Sequence, residues 1–187
     1  RTGLGQHLDI ALLDVAVAMN ANQAANYLVS GESPERIGNT HLNLSPYEVF
    51  GCADGYIILA IGNDTQFAAF CALVQEEWHC DPRFKTNAGR LTNFSELRPL
   101  LRAVLKRWKV GELGAALDAN RISWGNINSM EQVFQHPQVV HRRMLQTVAH
   151  PQLGELRLVR NPMILPSSGT QVPPPPVLGP PATQDSN

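Results

Sequence analysis

Ser45-Pro-Tyr-Glu-Val-Phe-Gly-Cys-Ala-Asp-Gly-Tyr-Ile-Ile-Leu-Ala-Ile61 reads as a β-hairpin. Tyr47–Phe50 and Tyr56–Ile61 have strand composition, and the Cys52-Ala53-Asp54-Gly55 link carries the Asp-Gly pair that favours a tight turn. The run from Tyr56 to Ile61 is apolar on both faces, as in a strand covered on both sides, so it belongs at the centre of a small sheet.

Downstream of the hairpin the period changes to helical. Asn63 or Asp64 is placed to cap a helix over 65–74, with Phe67, Phe70, Cys71 and Val74 on one stripe. After breaks at Asp81-Pro82 and Asn87-Ala-Gly89, Asn93 or Ser95 caps an amphipathic helix carrying Leu97, Leu100, Leu101, Val104, Leu105 and Trp108. Pro99 falls in its first turns, where a missing N–H costs little. A helix over 110–120 turns Leu113, Ala116 and Leu117 inward, and 121–128 is extended. Ser129 caps a short helix over 130–135 that His136-Pro137 stops, and another short helix covers 138–143. Leu145–Ala149 and Glu155–Val159 alternate as the strands of a second hairpin. Residues 167–187, with Pro173 to Pro176, Pro180 and Pro181, cannot enter a sheet or build a core and read as an extended or disordered tail.

Upstream, Gly3 and Gly5 signal a turn, and Leu8 and Ile10 alternate with polar residues as in a strand. An alanine-rich helix then runs from Ile10 to Leu28 and stops at Gly31. Ser33-Pro34-Glu35 opens a short turn or helical piece that ends near Gly38. A strand at the very start needs neighbours for its backbone hydrogen bonds, so the chain is expected to begin partway through a larger protein.

The 187 residues hold 15 Lys+Arg against 16 Asp+Glu, a net charge of −1, which provides no broad field for nucleic acid or an acidic membrane surface. The longest apolar stretch, around Ile10 to Met19, is broken by Asp14 and falls far short of the roughly 20 residues of a membrane span. No signal peptide is expected. Three cysteines without CxxC spacing disfavour a disulfide framework or structural zinc and fit a reducing compartment, cytoplasmic or, in a eukaryote, mitochondrial.

His136, His141 and His150 have no metal-ligand spacing and read as surface or turn residues. Cys71 lies on an apolar stripe, where a thiol is a packing group, and Cys52 needs a base to act as nucleophile. Asp9 and Asp14 flank an apolar segment but fit the polar side of a strand and the exposed side of a helix. Gly38-Asn39-Thr40-His41 is different: a polar glycine loop between a helix and a buried sheet is either a plain connector or a substrate lid.

Several blocks together resemble the class III coenzyme A transferase family, the CaiB/BaiF group. They are the Gly3–Asp14 block, Gly38–His41, Ser45–Phe50, Asp54–Phe67, Asp81–Asn87 with Arg90, and Ile127-Asn128, in that order over residues 3 to about 165. The resemblance implies an α/β fold in which a Rossmann-like large domain and a small α+β domain build an interlocked homodimer. On that reading residues 1–30 end the first section of the large domain and 31–44 are a linker and mobile loop. Residues 45–125 are the small domain, 126–166 return to the large domain, and 167–187 are the tail.

The implied activity moves coenzyme A between an acyl-CoA and a small carboxylic acid, through an Asp nucleophile and anhydride and enzyme-thioester intermediates. Coenzyme A is a substrate, with no tightly bound cofactor implied. The nucleophile's motif lies just upstream of the Gly3-Leu-Gly-Gln6 block, so the chain alone is expected to be inactive, and Asp9 and Asp14 do not replace it. The family's substrate loop maps onto Gly38, Asn39, Thr40 and His41, the substrate-binding candidates; no catalytic or metal residue is assigned. Ser123-Trp-Gly-Asn126 departs from the family's Pro-x-Gly-Pro-like turn, and Pro180-Pro181 stands where a terminal helix is usual. Two alternatives remain at this level: a 2-methylacyl-CoA racemase of the same fold, and a non-catalytic remnant or partner subunit.

Overall fold

A computed structural model describes residues 3–5, 7, 9–162 and 173–177. The chain divides into two compact units, residues 1–127 and 128–187.

The first unit is built on an antiparallel sheet of β1 (Tyr47–Gly51), β2 (Tyr56–Ala60) and β3 (Ser123–Asn126), in the order β1-β2-β3. The hairpin register pairs Tyr47 with Ala60 and Gly51 with Tyr56. Its turn is tied down from outside, because Asp54 Oδ1 accepts from Val110 N at 2.8 Å and Ala53 N donates to Trp108 O. β2 is central, as its composition predicts. Its two faces are not equal, however: Ile57 and Leu59 are fully buried, whereas Ile58 is half-buried and Tyr56 exposed. The departing segment Ser123–Asn126 forms β3 and pairs with β2 from Ile57↔Asn126 to Ala60↔Ser123.

Helices cover the face of the sheet that carries Phe50, Ile57 and Leu59. α1 (Leu12–Met19) and α2 (Ala21–Ser30) precede the sheet. α3 (Asp64–Val74), α4 (Asn87–Thr92), α5 (Phe94–Leu105) and α6 (Val110–Ala119) lie between β2 and β3. α3 is capped by Asn63, whose side chain accepts from Gln66 N at 2.9 Å, and it buries Phe67, Phe70, Cys71 and Val74, the stripe read from sequence. α5 contributes Phe94, Leu97, Leu101, Val104 and Leu105, and α6 contributes Leu113 and Leu117. Eighteen apolar side chains between Phe50 and Ile122 form the core; at about 25 cal/mol per Å² of buried apolar surface, this cluster dominates the stability of the unit.

Four local expectations are corrected. Residues 7 and 9–11 form no strand; Leu8 lies outside the described residues. The predicted single helix is two, because Asn20 interrupts it: its side-chain amide donates to Ala16 O at 2.7 Å, competing with the helical ladder. Neither turn nor helix forms at Ser33–Glu35, and the chain turns instead at Gly38-Asn39. Asn87-Ala-Gly89 opens α4 instead of breaking the chain, since Thr86 caps it by accepting from Gly89 N. Pro99 falls within the first turns of α5 as read, but far enough in that its missing N–H leaves the carbonyl of Ser95 without its helical donor.

In the second unit, Ser129 and Gln132 form a capping box on α7 (Met130–Gln135), and Pro137 opens α8 (Pro137–His141). β4 (Leu145–His150) and β5 (Gly154–Val159) make the second hairpin. His150 Nδ1 closes the turn by accepting from Gln152 N and Leu153 N. Of the proline-rich tail, residues 173–177 have neither helix nor strand, and the rest of that expectation lies outside the described residues. Among the described residues no helix is long and apolar enough to cross a membrane.

Candidate functional site

Gly31 ends α2 in the left-handed conformation, φ 76°, and the chain then runs without regular structure to β1. Gly38 also has positive φ, 69°, which turns the next three residues along the outer edge of β1. β1 is an edge strand, so its alternate backbone groups point away from β2 and need partners. The loop supplies them. Asn39 Oδ1 accepts from Val49 N at 3.3 Å, and His41 N donates to Tyr47 O at 2.9 Å.

Between these two attachments Thr40 reaches a buried ion pair. Its Oγ1 donates to Glu48 Oε2 at 2.6 Å, and Arg98 Nη2 donates to Glu48 Oε2 at 2.8 Å and to Thr40 Oγ1 at 3.0 Å. Glu48 is only 4% exposed, and the Arg98 guanidinium lies over the Phe94 ring. The imidazole of His41 stacks on Tyr47 with centroids 5.0 Å apart. Its Nδ1 accepts from Asn43 N at 3.0 Å, and its Nε2 lies 3.4 Å from Asn22 Nδ2 in α2.

The far end of the loop is held from beneath by α4. Asn87 Oδ1 accepts from Ser45 N, and its amide donates to Asn43 O. Arg90, fully buried, donates to Ser45 O at 2.6 Å, to Phe84 O and to Asp64 Oδ1, with its guanidinium over Phe67. Asn87 and Arg90 are therefore the footing of the loop.

A cleft of about 290 Å³ lies between the loop and α2, lined by Asn22, Gln23, residues 38–42 and Tyr47. A wider, open cleft of about 1270 Å³ shares Asn22, His41 and Leu42 with it. The four expected residues Gly38, Asn39, Thr40 and His41 thus line one cavity together. What they offer chemically is hydrogen-bond donation from Asn39, which keeps its amide N–H groups with Oδ1 engaged, beside the His41 ring, whose two nitrogens already face Asn43 N and Asn22 Nδ2. They offer no carboxylate.

Other candidates have structural places. Cys71 is fully buried, and burial pushes its thiol up to about 11, away from the reactive thiolate. Cys52 is raised too, first by burial and then by the charge of Asp54. Asp9 and Asp14 are exposed. His136 caps α8 through Nδ1, and among the described residues no three His, Cys, Asp or Glu side chains cluster as a metal site would require. Sequence reading missed Glu48 and Arg98. The signal was present: Glu48 shares the inward phase of Phe50 in β1, and Arg98 lies four residues after Phe94 on α5.

The family model described as CoA-transferase family III matches residues 1–181. Succinate--glutarate CoA-transferase of Agrobacterium fabrum is 41% identical over 166 residues, which is 88% of this chain and 42% of that protein. Succinyl-CoA:glutarate CoA-transferase of Mus musculus is 33% identical over 96% of this chain and 42% of its own length. Among solved structures, a CaiB/BaiF family protein from Brucella suis superposes with a TM-score of 0.70 at 38% identity, covering 91% of this chain and 44% of that one. The chain spans less than half the length of the relatives it matches.

Proposed function

This chain belongs to CoA-transferase family III, and from that premise we propose that it is the C-terminal part of an enzyme that moves coenzyme A from an acyl-CoA to a small dicarboxylic acid. Residues 1–30 would close the first section of the large domain, 45–125 would be the small domain, and the whole protein would be an interlocked homodimer. The observation that carries the substrate class is the 41% identity, over 88% of the chain, to a succinate–glutarate transferase.

The nucleophilic carboxylate is assigned to polypeptide upstream of Arg1. Its attack on the thioester breaks the C–S bond and releases the CoA thiolate, leaving an acyl-enzyme anhydride. The thiolate then attacks the enzyme's carbonyl, frees the donor acid and forms an enzyme thioester, from which an acceptor carboxylate takes CoA by the reverse steps. The contribution of this chain is placement. Asn39 Nδ2 is the donor offered to the oxygen that gains charge as each carbonyl becomes tetrahedral, and the His41 ring, held by Asn43 and Asn22, walls the site beside it.

The test is a graft: the Agrobacterium relative with its matching segment replaced by this chain, assayed with succinyl-CoA and glutarate, beside this chain alone. Transfer by the graft and none by the chain alone is the expected result. Transfer by the chain alone would overturn the upstream nucleophile, and a well-folded graft that takes only a monocarboxylic acceptor would overturn the substrate class.

A further inference from the structure

Glu48 is an expensive residue to keep on the core face of a strand. A buried carboxylate paired with an arginine contributes little net stability compared with an apolar pair of the same volume, and its best-attested use is to fix a register. Here the pair has such a use. Thr40 closes a three-membered ring with it: the hydroxyl proton goes to Glu48 Oε2, and the hydroxyl lone pair receives Arg98 Nη2. Thr40 sits between the two loop residues that attach to β1, Asn39 and His41. A slip of one residue along β1 would turn Thr40 away and leave the buried carboxylate of Glu48 with one donor fewer.

We propose that Glu48 and Arg98 are positioning residues that hold the 38–41 loop in register through Thr40, and so set the aim of Asn39 and His41 at the substrate. The proposal rests on reading this loop as part of the acyl site. With Thr40 held, movement of the loop is left to the positive-φ hinge at Gly38, where an added Cβ would meet nothing within 4 Å and the cost of substitution is conformational.

Two measurements separate the proposal from the reading beneath it. The first is amide exchange on this chain in Glu48→Gln, Thr40→Val and Thr40→Ser. Exchange at His41 and Val49 should quicken about tenfold in the first two, the size expected for losing a charge-assisted hydrogen bond. Thr40→Ser should stay near the parent, Glu48→Gln with Thr40→Val should be no faster than either alone, and Ile57 in the sheet should not change. Unchanged exchange at His41 and Val49 in a folded Thr40→Val variant overturns the proposal, even if Glu48→Gln does not fold. The second is turnover in the graft, where both variants should lower kcat about tenfold with KM for the acyl-CoA little changed and Thr40→Ser restoring it. Quickened exchange with unaltered kcat would leave the register lock standing and overturn the placement of the loop at the acyl site.

Discussion

Arg90 ties three segments of this fold to one buried side chain. It is fully buried, it donates to the carbonyls of Ser45 and Phe84 and to Asp64, and nothing of equal size can satisfy those acceptors. Asp64 is half exposed and water can serve it; the carbonyls have no such relief. Arg90→Met should therefore lower the unfolding free energy by about 3–5 kcal/mol, read from urea denaturation. A loss below about 1 kcal/mol would mean that the region repacks. Cys71 gives a second residue-level expectation. Its thiol ionises near 11 when folded against an ordinary 9.0, so above pH 9 the unfolded chain sheds a proton that the folded chain keeps. Stability should fall as pH rises from about 9 to about 11, and at pH 8 iodoacetamide should label exposed Cys80 while Cys71 and Cys52 react only after denaturation.

At the scale of elements, two glycines of α6 should answer the same substitution with opposite signs. A Cβ on Gly114 would lie 2.3 Å from the Trp124 ring, whose Nε1 is fixed on Asp118, whereas a Cβ on Gly111 meets nothing within 4 Å. Gly111→Ala should gain up to about 1 kcal/mol of helix propensity. Gly114→Ala should lose about 1–3 kcal/mol to overpacking, and Trp124→Leu should rescue it. Equal shifts in Tm for the two alanine variants would refute this account. The elements also show what sequence alone could and could not tell. The two hairpins, the α3 stripe and the Ser129 cap were legible because each is decided within about ten residues by period and turn chemistry. The break at Asn20, the start of α4 and the tie between β3 and β2 were not. Each depends on a partner that local pattern does not name: a side-chain amide on its own helix, a threonine cap within a run read as loop, or an edge 60 residues away. The loop at 38–41 was found by its composition and by family resemblance, but its anchor was not, because a glutamate in an inward phase reads as an exception until the arginine opposite it is known.

At the scale of the molecule, the core and the chain ends have different standing. All the buried apolar side chains of the cluster lie between Phe50 and Ile122, while α1 and α2 bury none and expose Leu12, Leu13, Met19, Leu28 and Val29. A fragment of residues 38–127 should keep a cooperative urea transition with its midpoint close to that of the full chain. In sedimentation the full chain should self-associate and the fragment should not, since two helices that leave this many apolar side chains exposed seek cover. Loss of the cooperative transition in the fragment would show that α1 and α2 stabilise the core after all.

The strip of loop that lies along β1 also guards it. Each excursion that opens the cleft bares Tyr47 C=O and Val49 N–H together, and a strand with an open rim is a template on which another molecule can add its own. The contacts that hold the loop in place are thus also the ones that close the rim of the sheet. A variant that frees Thr40 should shorten the lag before thioflavin-positive fibrils appear.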